Sequence, residues 1–159
     1  MLLKIPKMDK NEYDDLINKN YVSRIAFRGM DGGHPYIAPF MYVFDGKYIY
    51  FLSTKYGKKI ELFRSNPNIS VEIEEYEKDM SRFRFVTLQG MLKEVDQKGE
   101  IEGAKQMFVD MIKNKKLSRN VLAALGNNPE ENESSLLKED NVAVWRLEDV
   151  KEIVALKNG

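Results

Sequence analysis

The 159-residue sequence contains no cysteine and a single histidine, His34. The first absence excludes disulfides, thiolate nucleophiles and thiolate-ligated metals. The second excludes a multi-histidine metal centre. Acidic pairs such as Asp14-Asp15, Glu74-Glu75 and Glu130-Glu131 are adjacent in the chain rather than spaced to converge on an ion, so metal catalysis is not expected. A surplus of one charge is also missing. The 25 basic and 25 acidic side chains balance, whereas a duplex-binding domain normally carries a basic excess, so nucleic acid is not an expected partner. No apolar run approaches the roughly 20 residues of a membrane span. The opening MLLKIPKMDKNE is too short an apolar stretch for a signal peptide, and a cytoplasmic protein without membrane association is expected. There is no G-x-G-x-x-G or Walker glycine loop and no G-x-S-x-G elbow, which argues against the usual dinucleotide and ATP folds and against a serine-triad hydrolase.

What is present is a succession of short strands separated by turns. Asp9, with Glu12 three positions on, has the spacing of a capping box and opens a helix over 9–20 with Tyr13, Leu16 and Ile17 on one face. Strands are read over 21–28 and 34–44, with Asp31-Gly32-Gly33 supplying the positive φ of a tight hairpin, and Asp45-Gly46 doing the same before the run Tyr48 to Leu52. Three strands on two tight turns make an antiparallel meander, the start of a barrel or sandwich. A helix over 58–65 stops ahead of Asn66-Pro67. Strands follow over 69–75 and 82–95, with an irregular loop taking most of 74–81 between them; Gly90 marks a bulge or bend in the second. Ile101, Ala104, Met107, Phe108, Met111 and Ile112 recur at helical spacing over 99–113. A shorter helix over 118–125 ends at Gly126, residues 127–135 read as an acidic mobile loop, and a last strand over 141–146 continues after a kink at Glu148-Asp149 to 156. The chain reads as one domain, 1–159: N-terminal helix 9–20, barrel core 21–95, helical excursion 99–126 and last strand 141–156.

The segment YIYFLSTKYGKK (48–59) carries the most chemistry. Hydroxyls at a strand end (Ser53, Thr54), a glycine turn, two cations (Lys58, Lys59) and the free N–H groups of a helix start suit an anion such as a phosphate. The same residues also read as an ordinary strand-to-helix connection with surface lysines. His34, beside a glycine turn, is read as a hairpin-flank side chain. Arg24 and Arg28 share one strand face; Arg28 is read as solvated and Arg24 is left open.

Taken with its neighbours, this segment resembles the pyridoxamine 5'-phosphate oxidase-like, FMN-binding split-barrel flavoproteins. The resemblance rests on the order of a strand (SRIAF, 23–27), a DG-P-P hairpin (Asp31-Gly32, Pro35, Pro39), the YF-T strand, the G-K turn and the NP helix end (Asn66-Pro67). One extra residue separates Asp31-Gly32 from Pro35, and Thr54 falls one place late. The likeness covers about residues 9–95 well and the rest loosely. It implies a mainly β fold with peripheral helices, an antiparallel split β-barrel of six or so strands, FMN as cofactor, and a homodimer with FMN at the subunit interface. By position, Phe40, Met41 and Tyr42 would lay their backbone along the flavin edge, and Ser53, Thr54, Lys58 and Lys59 would grip the phosphate. Gln89 would reach the flavin or a partner subunit, or simply face a sheet edge, and Trp145 would shield the ring or pack the core.

The departures narrow the activity. The arginine-histidine substrate signature of the oxidases proper is missing, since no histidine follows His34; Leu52 stands where nitroimidazole-reductase-like relatives carry histidine; and the C-terminal histidine of haem-handling relatives is absent. What remains is an FMN-dependent oxidoreductase of unidentified small substrate. The alternatives are a non-catalytic FMN-binding or redox-sensing module, or a split-barrel binder of another phosphorylated cofactor such as a deazaflavin.

Overall fold

The computed structural model describes residues 2–138 and 142–158. Six antiparallel strands, β1 (Val22–Phe27), β2 (Tyr36–Phe44), β3 (Ile49–Thr54), β4 (Asn68–Tyr76), β5 (Phe83–Glu94) and β6 (Val142–Lys157), close into a barrel in the order β1-β2-β3-β6-β5-β4. The mainly β, split-barrel expectation therefore holds. Four helices lie outside it: α1 (Lys10–Lys19), α2 (Lys58–Ser65), α3 (Lys98–Asn114) and α4 (Val121–Ala124). Asp9 and Glu12 form the reciprocal capping box that their spacing suggests. Asn141, the expected first residue of the last strand, lies outside the described residues.

Alternation along the strands sends Ile25, Phe27, Phe40, Phe51, Val71, Ile73, Val86 and Trp145 inward, each at most 5 % exposed. Trp145 packs edge-on to Phe27 and stacks on Phe63 at 4.9 Å between centroids. A second apolar cluster lies outside the barrel, where Tyr50 and Leu52 of β3 and Val144 of β6 meet Phe108 and Ile112 of α3 and Leu122 and Leu125 around α4. This explains why β3 reads as an unbroken apolar run: both of its faces are covered. The excursion between β5 and β6 is also fastened by polar contacts. Arg146 donates to Glu100 of α3 (2.6 Å) and to Glu148 (2.8 Å), and the Tyr50 hydroxyl donates to the same Glu100 oxygen (2.7 Å). The Tyr50 hydrogen bond, with Arg146 beside it, holds the Glu100 carboxyl below its ordinary pKa.

Three local readings need correction. The β1–β2 connection is not a tight hairpin but runs over residues 28–35 around a 3₁₀ turn at Met30–Gly32, in which Asp31 (52°) and Gly32 (73°) supply the expected positive φ. β4 runs on to Tyr76 because Glu74 and Glu75 pair with Phe85 and Arg84 of β5, so the loop is shorter than 74–81. The helix expected over 118–125 shrinks to the four residues of α4, and a 3₁₀ turn over Glu133–Leu137 with a buried Leu136 occupies part of the stretch read as a mobile loop. The last strand does continue past its kink, as expected: Asp149 adopts φ 51° without ending the ladder.

The bulge at Gly90 is present: the β5–β6 register shifts between Gln89 and Met91. A Cβ at Gly90 would stand 2.8 Å from the Glu148 carbonyl oxygen and 3.3 Å from the Val150 Cα. Backbone atoms cannot step aside as a side chain can, so Gly90→Ala should lower stability by about 1–3 kcal/mol. Urea unfolding should show a lower midpoint at unchanged slope, and an unshifted midpoint would mean that the bulge opens freely.

On the outer wall Arg24 binds Glu74 and stands 3.6 Å from Glu72, so the open reading of Arg24 resolves to cross-strand ion pairing. Glu72 Oε1 is buried without a hydrogen bond. Burial first, and then the neighbouring Glu74 charge, raise the Glu72 pKa above the usual carboxylate range, against a smaller opposing pull from Arg24. A raised carboxyl pKa destabilises the fold above its folded-state value and ceases to do so as pH falls through it. Glu72→Gln should therefore be more stable than the parent at pH 8, with the gap closing as pH falls below the folded-state pKa. A gap that does not depend on pH would contradict this.

Candidate functional site

β3 ends at Thr54, three residues turn at 55–57, and α2 begins at Lys58. Gly57 stands at the N-cap with φ 102°, a conformation costly for any residue with a Cβ, and it has no side chain to cap the helix. No side-chain cap satisfies the first-turn N–H groups of α2. Those donors, and the positive end of the helix dipole, face outward at the turn. The helix carries two cations at this end. The Lys58 ammonium lies 4.9 Å from the Tyr36 ring centroid, and that of Lys59 lies 4.6 Å from the Phe40 ring. Among the described residues neither lysine is paired with a carboxylate.

A cleft of about 240 Å³ opens at this point. β2 contributes Pro39, Phe40 and Met41, β3 contributes Ser53 and Thr54, and α2 contributes Lys59. Thus five of the nine residues singled out from the sequence share one cleft, brought together by the antiparallel pairing of β2 with β3 and the turn from β3 into α2. The Ser53 hydroxyl donates to the Thr54 carbonyl (3.0 Å) and that of Thr54 to the Tyr56 carbonyl (2.8 Å). To bond an anion, both hydroxyls must rotate away from these carbonyls, whereas Lys59 and the helix N–H groups need no such exchange.

The other four residues lie elsewhere. Lys58 is the exposed neighbour of the cleft, turned over Tyr36. Tyr42 is 1 % exposed; its hydroxyl donates to the Ile17 carbonyl (2.6 Å) and its backbone N–H to the Tyr21 carbonyl (3.0 Å). Burial raises its phenol pKa further above the usual value. Trp145 is fully buried in the barrel interior and reaches the cleft only through Phe40, 5.7 Å away between ring centroids. Gln89 lines a different groove of about 430 Å³ on the outer wall, with Arg28, Ser70 and Lys151. That groove is larger, but it lacks the helix start and strand-end hydroxyls, so the smaller cleft has the better chemistry for a phosphate.

Sequence reasoning did not place Val22, Ala123, Ala124 or Gly126 at this cleft, yet all four line it. Gly126 does adopt a positive φ of 85° after α4, the conformation expected of a residue closing a helix. Nothing in local spacing reveals that the turn then folds onto Thr54.

A family model described as pyridoxamine 5'-phosphate oxidase matches residues 9–144. Solved structures with the same fold include an FAD-binding protein from Mesorhizobium loti, 20 % identical with a TM-score of 0.70, covering 99 % of this chain and 100 % of that one. An FAD-binding protein from Mycobacterium smegmatis is 13 % identical, with a TM-score of 0.66 and coverage of 97 % and 100 %. A haem storage protein from Vibrio cholerae is 14 % identical, with a TM-score of 0.63 and coverage of 93 % and 94 %. No curated protein matches the chain.

Proposed function

The chain belongs to the pyridoxamine 5'-phosphate oxidase family, and from that footing we propose that it is a flavoprotein which holds FMN by its phosphate in the β2–β3–α2 cleft and acts as an oxidoreductase on a small molecule. The observation that carries this reading is the uncapped start of α2 beside Lys59. It offers N–H donors, a helix dipole and a cation with no carboxylate partner among the described residues, and all three favour a dianion. Two fold relatives named as FAD-binding support a flavin. Ser53 and Thr54 add hydroxyls at the same point, and the β2 stretch Pro39 to Met41 supplies the adjoining wall along which a ring can lie. FMN supplies the redox chemistry when bound; the chain binds and orients it and keeps one side dry with Phe40 and Met41. Among the described residues no histidine or carboxylate lines the cleft, which also leaves room for a non-catalytic flavin-binding or redox-sensing module. Reduction of the bound flavin by a nicotinamide nucleotide, with turnover on an added acceptor, separates the two.

The homodimer is part of the same proposal. Cofactor pockets commonly enclose ~300–1,000 Å³, and this cleft, at about 240 Å³, is too small for a whole flavin nucleotide. The neighbouring outer wall exposes Ile37 (65 %) and Val22 (45 %), whose burial against a second copy would complete the enclosure. Sedimentation of the flavin-loaded protein should show a dimer at micromolar concentration; a fully loaded monomer would sink this part.

Lys59 gives the sharpest test of the phosphate assignment. Lys59→Ala should weaken FMN binding by about 1.5–3 kcal/mol, roughly ten- to a hundredfold, with a much smaller loss for riboflavin, which has no phosphate. Trp145, the sole tryptophan, lies one ring behind the cleft, so its fluorescence should report both titrations. Equal weakening of the two ligands would place the phosphate elsewhere, and no weakening of either would leave Lys59 a surface lysine.

A further inference from the structure

We propose that the outer face of the sheet β2-β1-β4-β5-β6 is the surface on which a second copy of this chain docks, and that Glu72 at its centre is neutral in the dimer, so that the dimer tightens as the pH falls. This rests on the homodimer proposed above and adds to it the docking face and the proton taken up there.

Strand register fixes what lies on that face. Pro39, Arg24, Glu72, Thr87 and Val154 stand across from one another on the five strands and form one outward row. Two residues along their strands, Ile37 lies on one side of that row and Val22 on the other. None of these side chains is buried, whereas the residues that alternate with them, such as Ile25, Val71 and Val86, are. The face therefore presents apolar surface that a single chain leaves uncovered.

The cleft points to a second copy as the cover. Val22 and Pro39 belong to this face and also line the cleft, so whatever covers the face closes the cleft. A copy related by a two-fold axis presents the same face in return and closes both clefts at once.

The centre of the face decides the pH dependence. Arg24 of β1 binds Glu74 and stands 3.6 Å from Glu72 Oε1, an oxygen that is buried without a hydrogen bond. On β5 the facing residue is Thr87, which has no charge. With Glu72 ionised, one cation stands among two carboxylates, and two-fold docking sets a net negative centre against its own like. With Glu72 protonated, Arg24 and Glu74 balance and the two centres meet without repulsion. Burial and the Glu74 charge already oppose the ionised form in the single chain, and a covering surface deepens the burial. The dimer thus holds this proton more firmly than the free chain does. Association is favoured as the pH falls through that range and weakened as it rises.

The test is the dimer dissociation constant of the flavin-loaded protein, measured by sedimentation between about pH 8 and pH 5.5 in the parent, Glu72→Gln and Glu152→Gln. Glutamine at position 72 imitates the neutral carboxyl. Glu152 lies on the same sheet opposite Gln89, away from the central row. The cofactor phosphate and every other titrating group contribute alike to the parent and Glu72→Gln. The parent dimer should tighten at least about tenfold over this interval, the effect of a one-unit rise in one carboxyl pKa. Glu72→Gln should dimerise at least about tenfold more tightly than the parent at the alkaline end and lose most of the pH dependence, while Glu152→Gln keeps it. A parent dimer equally tight throughout, a Glu72→Gln dimer with the parent's dependence, or a Glu152→Gln dimer without it would overturn the role of Glu72 and leave the homodimer standing. A flavin-loaded monomer at both ends of the interval overturns both.

Discussion

In a closed barrel every strand pairs on both sides, and the rest of this structure depends on how β6 does so. Its first residues pair with β3, its last with β5, and at Trp145 and Arg146 it is bonded to both, facing Phe51 and Glu94 in one case and Tyr50 and Lys93 in the other. The two residues at that crossing are put to opposite uses. Trp145 fills the interior, and Arg146 points outward to Glu100 and Glu148, where it ties the excursion helix to the barrel. The bulge at Gly90 and the left-handed Asp149 beside it let the rest of β6 bend on around the curve while still hydrogen-bonded.

This arrangement decides where a ligand can go. The interior is filled by aromatic rings, so the barrel has no lumen to offer. What remains is the rim, where β3 stops and the chain must turn into α2. Sites of this kind combine a rigid strand with a helix terminus whose donors are unused, and they hold anions without a dedicated charged pocket. The same rim is where the excursion returns to the barrel, so the segment inserted between β5 and β6 sits beside the site although it lies some seventy residues away in the chain.

That separation explains what the sequence disclosed and what it did not. Locally encoded features were legible: the capping box at Asp9, the bounds of α2 between Gly57 and Asn66, the bulge at Gly90 and the strand order up to β5 all rest on neighbours within a few residues. The gathering of Phe40, Met41, Ser53, Thr54 and Lys59 in one cleft was suggested by the family order of the motifs. Trp145 and Tyr42 were harder, since an aromatic side chain on a strand suits core and ligand alike, and only the closure of the barrel decides which face is which. The approach of the turn after α4 to the cleft was not legible at all. Its contact with Thr54 depends on Leu122 and Leu125 finding a cluster built from β3, β6 and α3, a tertiary fact with no short-range signature. The length of helix around α4 went astray for the same reason: an apolar run suggested a full helix, while packing kept only four residues of it.

The start of α2 departs from the usual pattern of a helix N-terminus, and the departure bears on the proposed phosphate site. A helix normally begins with a side-chain cap and acidic residues, each worth a fraction of a kcal/mol to about 2 kcal/mol. α1 follows that rule with Asp9 and Glu12, whereas α2 begins with an uncapping glycine and two lysines placed against its own dipole. One chain thus contains both solutions, so the second is not a limitation of the fold. A cap at position 57 would occupy the very N–H groups that an anion needs, and acidic residues at 58 and 59 would repel it. The departure from the stable pattern is confined to Gly57, Lys58 and Lys59, and Glu61, two positions further on, already returns to the usual sign. Local rules broken in so narrow a window, with the remainder of the helix obeying them, are the pattern that the proposed phosphate site would impose on this helix start.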